Sequence, residues 1–217
     1  MNGSSDWPTE TITSDAQSLH DTDLPSRRGV WLMRPTRPAF VLGSSQRDGD
    51  VDGEFCLAHG IDVVRRRSGG GAVHVDPVTS VWVDIVIART DSLWVDDVGR
   101  AMHFVGHVWR EVLVDLGMDG VITNKDAHVA NDWSKTLCVA GRGTGEVFVG
   151  SGAKVVGISQ RRTRDLGDGH DDEALHALFR VVRLLLHEAR IDHEPIYVGA
   201  KARNQNETNE RPKTRAY

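Results

Sequence analysis

Arg65-Arg66-Arg67-Ser68-Gly69-Gly70-Gly71-Ala72-Val73 sets three cations directly beside three consecutive glycines. Ile61-Asp62-Val63-Val64, a β-type run, leads into it, and a second β-type run follows. Adjacent glycines cost backbone entropy and offer nothing to pack. They are useful where backbone N–H groups must approach a ligand closely, because such turns form anion-binding concavities. Flanking arginines add fork-shaped donors suited to carboxylate or phosphate. Taken alone, the stretch also reads as a hairpin loop with a solvated basic flank. A dinucleotide-binding fingerprint or a P-loop needs a helix immediately after its glycines. Here a strand is expected instead, and no GxxxxGK[ST] occurs.

Strands on both sides of the glycines suggest a sheet protein, and the rest of the chain extends it. Val30-Trp31-Leu32-Met33 reads as a first strand, Ala39 to Gly43 as a second, and Val51 to His59 as a short helix stopped by Gly60. Val81 to Ile87 alternates, with Val81, Val83, Ile85 and Ile87 on one face and Trp82, Asp84 and Val86 on the other. One face is expected in the core and the other partly wet, so that Asp84 is either solvated or aimed at a ligand. Asp96 or Asp97 caps a helix running to about Leu116, with a core stripe at Val98, Met102, Val105, Trp109, Val112 and Leu116. Glu146 to Val149 and Ala153 to Ser159 form a hairpin turned at Gly150-Ser151-Gly152, with Lys154 at the start of the returning strand. Leu137 to Ala140 reads as a short strand, and Asp171 to Ala189 reads as a helix. The class is α+β: a mostly antiparallel sheet with helices packed on one face.

Composition narrows the function. The chain has 217 residues, net charge −5 and 39% hydrophobic residues. That is enough for a packed core and carries no global basic signature for nucleic acid. No apolar run approaches a membrane span, and Met1 to Asp23 lacks the apolar centre of a signal peptide. The two cysteines, Cys56 and Cys138, form no CxxC. A reducing, cytoplasmic setting is expected, without a disulfide scaffold or structural zinc. His103 and His107 lie four apart on the long helix but lack a metalloprotease pattern, and they read as surface residues.

The glycine stretch has counterparts elsewhere in the chain. Gly152-Ala153-Lys154-Val155-Val156-Gly157 follows it, then Ile158-Ser159-Gln160-Arg161-Arg162, and Leu42-Gly43-Ser44-Ser45-Gln46 precedes it. In this order the motifs resemble the biotin/lipoate protein ligase catalytic-domain superfamily, a class II synthetase-like fold, and are nearest its lipoate-protein ligase A branch. The resemblance runs from about Val30 to Arg162. It implies a catalytic domain over 25–196; residues 1–24, polar and without periodicity, read as a mobile arm, and 197–217, almost without apolar residues, as a disordered tail. It also implies activation of lipoate or octanoate by ATP with Mg2+, and transfer to a lysine of an acceptor domain. That acceptor is of the 2-oxoacid dehydrogenase E2 or glycine cleavage H protein type. No nucleic acid or membrane partner is implied.

By the same resemblance Ser68, Gly69, Gly70, Gly71 and Ala72 line the acyl and adenylate site. Arg66 or Arg67 meets a phosphate or carboxylate. Lys154 contacts the reacting carboxylate and α-phosphate, with Gly152, Ala153, Val155 and Gly157 shaping its surroundings. The resemblance assigns no Mg2+ ligand. A second reading rests on Cys138, eight residues before Glu146 and sixteen before Lys154. That register is similar to octanoyltransferases of the superfamily, which use no ATP and pass the acyl chain through a cysteine thioester. A non-catalytic lipoyl- or nucleotide-binding remnant is a third reading, and biotin ligation a fourth.

Three departures stand out. His74 lies one residue before the position, Val75, where many lipoate ligases carry histidine. Asn131-Asp132-Trp133 is the nearest counterpart of an Asn-Asp element beside the nucleotide. Relatives continue after the Arg164 region into an apolar strand, which the Gly- and Asp-rich run Asp165 to Asp172 cannot be. Either the sheet loses an edge or the residues after 164 stem from an altered reading frame, and both expectations leave apolar surface uncovered.

Overall fold

The computed structural model describes residues 7–126, 141–150, 152–164 and 175–184. Two sheets carry the fold. The larger is built from β1 (Thr9–Ser14), β2 (Gly29–Pro35), β6 (Ser80–Ala88), β7 (Ile122–Thr123), β8 (Val147–Phe148), β9 (Lys154–Arg164) and β10 (Leu175–Leu184). Its order is β1-β2-β6-β10-β9-β8-β7, antiparallel throughout except for the parallel β1–β2 pair. The smaller sheet has β3 (Ala39–Leu42) between β4 (Asp62–Arg65) and β5 (Val73–Val75). The α+β class read from the sequence is therefore the observed one.

Helix α3 (Val98–Asp115) contacts β7, β8 and β9. Its core joins Ala101, Val105 and Leu113 to Ile85, Ile87, Val147, Val156 and Ile158. A second core lies among α1 (Ala16–Asp21), β2, β6 and the smaller sheet, around Leu19, Trp31, Met33, Val41, Val75, Trp82 and Val86. Helix α2 (Gly53–Ala58) closes a third cluster with Phe40, Leu42, Val51, Cys56 and Ala72. Burial of the large apolar side chains on both faces of the larger sheet is the main stabilising term, at roughly 1.5–3 kcal/mol for each one fully buried.

Several expectations are corrected. Residues 9–21, read as part of a mobile arm, are structural: β1 pairs with β2 along its whole length, and α1 buries Ala16 and Leu19 completely. The helical turn near Asp15 is real, and the Asp15 carboxylate caps it by accepting the Ser18 N–H at 2.9 Å. The second face of β6 is not wet. Trp82, Asp84 and Val86 are fully buried because α1 and the smaller sheet cover them. Asp84 is satisfied inside the protein, accepting the Trp82 Nε1–H at 2.9 Å, so neither a solvated nor a ligand-facing role describes it.

The α3 stripe is rotated from the expected one. Val98, Val112 and Leu116 are exposed, Leu116 by 66%, while Ala101, Val105, Gly106 and Leu113 face inward. Small residues set this face. An added Cβ on Gly106 would lie 1.9 Å from the Gly145 carbonyl oxygen, so the helix backbone rests directly on that turn. His107 is exposed as expected, whereas His103 is half-buried.

Leu175–Leu184, expected to be helical, is a strand. It fills the slot between β6 and β9, pairing His176 to Leu184 with Ala88 to Ser80 and Leu175 to Arg183 with Arg164 to Val156. A ten-residue run rich in Leu, Val and Arg fits either period, and two open strand edges decide in favour of the strand. The strand missing after Arg164 is thus supplied further along the chain, and the sheet keeps its continuity.

Candidate active site

The glycine stretch is a crossover, not a hairpin. β4 runs parallel to β3 and β5 antiparallel to it, one on each side, so residues 66–72 pass over the C-terminal end of β3. Gly43 emerges at that end. A Cβ on Gly43 would sit 1.9 Å from the Gly70 carbonyl oxygen, and Gly70 has φ of +99°. Both positions need glycine, one for close approach and the other for its left-handed backbone. The Ser44 N–H donates to the Ser68 carbonyl at 3.0 Å, and the Arg66 N–H donates to the Leu42 carbonyl at 2.9 Å. Gln46 Oε1 accepts the Gly43 N–H at 3.0 Å. Two motifs separated in sequence therefore fold as one unit.

The arginines divide their work. Arg65 Nη1 donates to the Gly43 carbonyl at 3.0 Å and also to the Gln46 carbonyl, and its Nη2 donates to Asp48 at 2.6 Å. Arg66 is buried, and its Nη2 donates to the carbonyls of Gly69 at 2.9 Å and Gly71 at 2.8 Å. It braces the loop from inside. Arg67 reaches outward with 64% of its side chain exposed, 3.7 Å from Asp21. Ala72 is buried in the third apolar cluster and faces away from the loop surface.

A small cleft opens between Arg66, Arg67 and Ser68, the His20–Asp21 end of α1, and Ser159 to Arg161 of β9. His20 packs against Trp82 with ring centroids 4.6 Å apart and ring planes tilted by 44°. Both amide atoms of Gln160 are shielded from solvent without a hydrogen-bond partner, an arrangement that a bound polar group would satisfy. His20 and Asp21 escaped the sequence reading because their segment looked like an arm. Ser159 to Arg161 were visible as a motif, but their approach to the glycine loop depends on the strand order.

Lys154 lies elsewhere on β9. The hairpin before it is closed by the Gly152 N–H donating to the Val149 carbonyl at 2.7 Å, with Gly152 at φ +85°. Gly152 and Ala153 are exposed, Val155 is buried and Gly157 half-buried. The Lys154 side chain is only 4% exposed, and its Nζ sits 2.6 Å from Oε2 of Glu146, itself 5% exposed. This is not an exposed hairpin lysine. Lys154 does not line the cleft at the glycine loop. Five residues separate it from Ser159, about 16 Å of extended strand at ~3.3 Å per residue. Cys138, Ser151 and Asn131-Asp132-Trp133 lie outside the described residues.

His74 on β5 is half-buried with its ring 4.9 Å from that of Phe40. Burial holds its pKa below the ordinary 6.5, against a smaller opposing pull from Asp76. A depressed histidine favours the fold when neutral, so its contribution is complete above about pH 6.5 and declines as the pH falls through the folded value. We expect the urea midpoint to drop between pH 7.5 and 5.5, with a smaller drop in His74→Leu. An equal drop in both proteins would remove His74 as the cause. Because β5 receives the glycine loop, the same acidification should loosen the loop.

Among the described residues, no helix is long and apolar enough to cross a membrane. No group of three or more His, Cys, Asp or Glu there converges to hold a metal ion.

Comparison with known proteins gives a consistent result. The family model described as "Lipoyl protein ligase A/B catalytic domain" matches residues 10–166. Lipoate–protein ligase 1 of Staphylococcus aureus is 42% identical over 55 residues, which span 25% of this chain and 17% of that protein. The putative lipoate protein ligase Ta0514 of T. acidophilum with bound lipoic acid superposes with a TM-score of 0.60 at 17% identity, over 84% of this chain and 69% of that one. Lipoate-protein ligase A bound with ATP gives 0.58 at 15% identity, over 84% and 68%. At such identities the likeness of these two structures is one of fold.

Proposed function

Because this chain belongs to the lipoyl protein ligase A/B catalytic-domain family, we propose that it activates lipoate or octanoate with ATP and transfers the acyl group to a lysine of an acceptor domain. The observation that carries this reading is the glycine crossover braced by Arg66 and packed on Gly43. It is a rigid surface of backbone groups with Arg67 beside it, suited to a ligand bearing negative charge.

In the first step a carboxylate oxygen attacks the α-phosphorus of ATP. The bond to the bridging oxygen breaks and pyrophosphate leaves. In the second step the acceptor amine attacks the acyl carbon, AMP departs with the C–O electron pair, and the nitrogen loses a proton. Negative charge gathers on oxygens in both steps, so fixed cations and N–H donors are the main catalytic resource. Lys154 supplies the cation at the reacting carboxylate and α-phosphate. The glycine crossover, which faces β9 only from Ser159 onward, then holds another part of a long acyl-adenylate rather than its reacting centre. Mg2+ binds mainly through substrate phosphates and water and is assigned no residue here. The acceptor would be a lipoyl domain of the 2-oxoacid dehydrogenase E2 or glycine cleavage H protein type.

The test mixes the protein with octanoate, ATP-Mg and an acceptor domain. Acyl-adenylate and a mass increase on the acceptor are expected. Tight binding of lipoate or ATP with neither product would instead identify a non-catalytic binding protein.

A second reading is favoured by one observation. Glu146, eight residues after Cys138 in the cysteine-dependent register, is ion-paired with Lys154. Lys154 is therefore a held cation in the register where that branch works through a cysteine, and a cation beside a thiol would favour the nucleophilic thiolate. That octanoyltransferase would act on octanoyl-carrier protein without ATP and carry an acyl group on Cys138. For the ligase we expect Cys138→Ser to keep most of the wild-type rate, since neither of its two steps uses a thiol. Loss of all transfer in Cys138→Ser, with an acylated Cys138 in the wild-type mass spectrum, would select the transferase.

A further inference from the structure

We propose that Glu146 is the positioning residue for Lys154: it holds the lysine's charge in a nearly dry site and fixes the direction from which the ammonium meets its substrate. This rests on the reading of Lys154 given above.

The carboxylate and ammonium are 2.6 Å apart, with side chains only 5% and 4% exposed. A buried charge persists only when paired and hydrogen-bonded. Glu146 is itself held. Its Oε2 accepts the Gly143 N–H at 2.6 Å. Its carbonyl accepts the Asn124 N–H at 2.8 Å, and the Asn124 side-chain amide donates to the Gly143 carbonyl at 2.9 Å. A Cβ on Gly143 would come within 2.9 Å of the Glu146 carboxylate, so glycine there is what admits it. The carboxylate thus has a fixed position before any ligand arrives. An ammonium has three N–H donors on a flexible stem. Engaging one of them with a fixed carboxylate aims the others in set directions. An acyl carboxylate or phosphate oxygen then meets a preoriented cation, with little reorganisation.

The experiment compares Glu146→Gln, Glu146→Asp, Lys154→Met and the double variant Glu146→Gln/Lys154→Met. Gln keeps shape and the bond from Gly143 but removes the charge. We expect kcat for adenylate formation to fall about 10–100-fold in Glu146→Gln, as for a misplaced catalytic group, with KM for ATP changed less than about threefold. Glu146→Asp, which keeps the charge, should recover most of the rate. The double variant should be no slower than Lys154→Met alone, because Glu146 acts through the lysine. A normal kcat in Glu146→Gln, or additive losses in the double variant, would overturn the assignment.

A stability cycle reads the pair even if the wild type makes no adenylate. Each single variant leaves one buried charge and should lower the thermal midpoint by about 5 °C or more, whereas the double variant, with neither charge, should recover most of it. Additive shifts would overturn the pairing. Coupled shifts in a wild type without turnover would leave the pairing intact and remove the ligase reading.

Discussion

Lys154→Ala should lower acyl-adenylate formation by about two to three orders of magnitude, the range seen when one preorganised donor to a developing oxyanion is removed. Lys154 is a buried cation paired with a fixed carboxylate, five residues along β9 from the cleft at the glycine crossover. Two effects of the substitution must be separated. Removing the cation takes away stabilisation of charge in the transition state. It also leaves Glu146 buried and uncompensated, which costs about 3–5 kcal/mol of stability. Pyrophosphate release should therefore be measured at low temperature on material whose fold is checked by circular dichroism. If the rate per folded molecule falls by the stated factor, the loss is chemical. If it stays near the wild-type value, Lys154 is a structural half of an ion pair, and the reacting centre belongs to the glycine crossover, His20 and Gln160 instead.

The two centres differ in how far the sequence revealed them. The glycine crossover was visible because its glycines fall in short recognisable runs. Gly70 needs a left-handed backbone, Gly43 must let a carbonyl approach, and both stand in recognisable motifs. The bracing role of Arg66 was not visible, since three adjacent arginines look alike until β3, β4 and β5 fix which one points inward. The Glu146–Lys154 pair spans a hairpin whose register shifts at Val147–Phe148, so residue spacing alone could not place the carboxylate on the lysine.

The strands were legible wherever a short β-type run met turn residues, as at β2 and β3, or where apolar positions alternated, as at β6. β1 was not. Thr-Glu-Thr-Ile-Thr-Ser carries one apolar side chain, and its strand character comes from pairing with β2. β10 failed for the opposite reason: it is apolar enough for either structure, and its two neighbours chose the strand. Asp84 was misjudged because a carboxylate within a strand suggests water, while Trp82 and the covering layer keep it dry.

Helix α3 shows the same limit most sharply, and it yields the second large expected effect. Helix propensity alone predicts that Gly106→Ala stabilises the protein by up to about 1 kcal/mol. Packing predicts the reverse. The new Cβ would lie 1.9 Å from the Gly145 oxygen and 2.9 Å from Thr123 Cγ2. Backbone on the other side cannot swing away as a side-chain tip can. Gly145 is itself constrained, with φ of +80° and its own hypothetical Cβ 2.3 Å from the Met102 oxygen. Overpacking of this kind costs about 1–3 kcal/mol and occasionally more. With backbone facing backbone we expect about 3 kcal/mol, a fall of roughly 6–12 °C in Tm for a chain of this size. Gly99→Ala is the control. It lies in the first turn of the same helix, where an added Cβ meets Asp97 Oδ1 at 3.4 Å and Thr144 Cγ2 at 4.0 Å, ordinary contact distances. There propensity should prevail, leaving Tm unchanged or slightly raised. The turn that Gly106 presses upon also carries Glu146. Gly106→Ala should therefore lower adenylate formation in the fraction that remains folded. A stabilised, fully active Gly106→Ala would show that α3 does not rest on the turn at Gly145, and the support for Glu146 would have to come from Gly143 and Asn124.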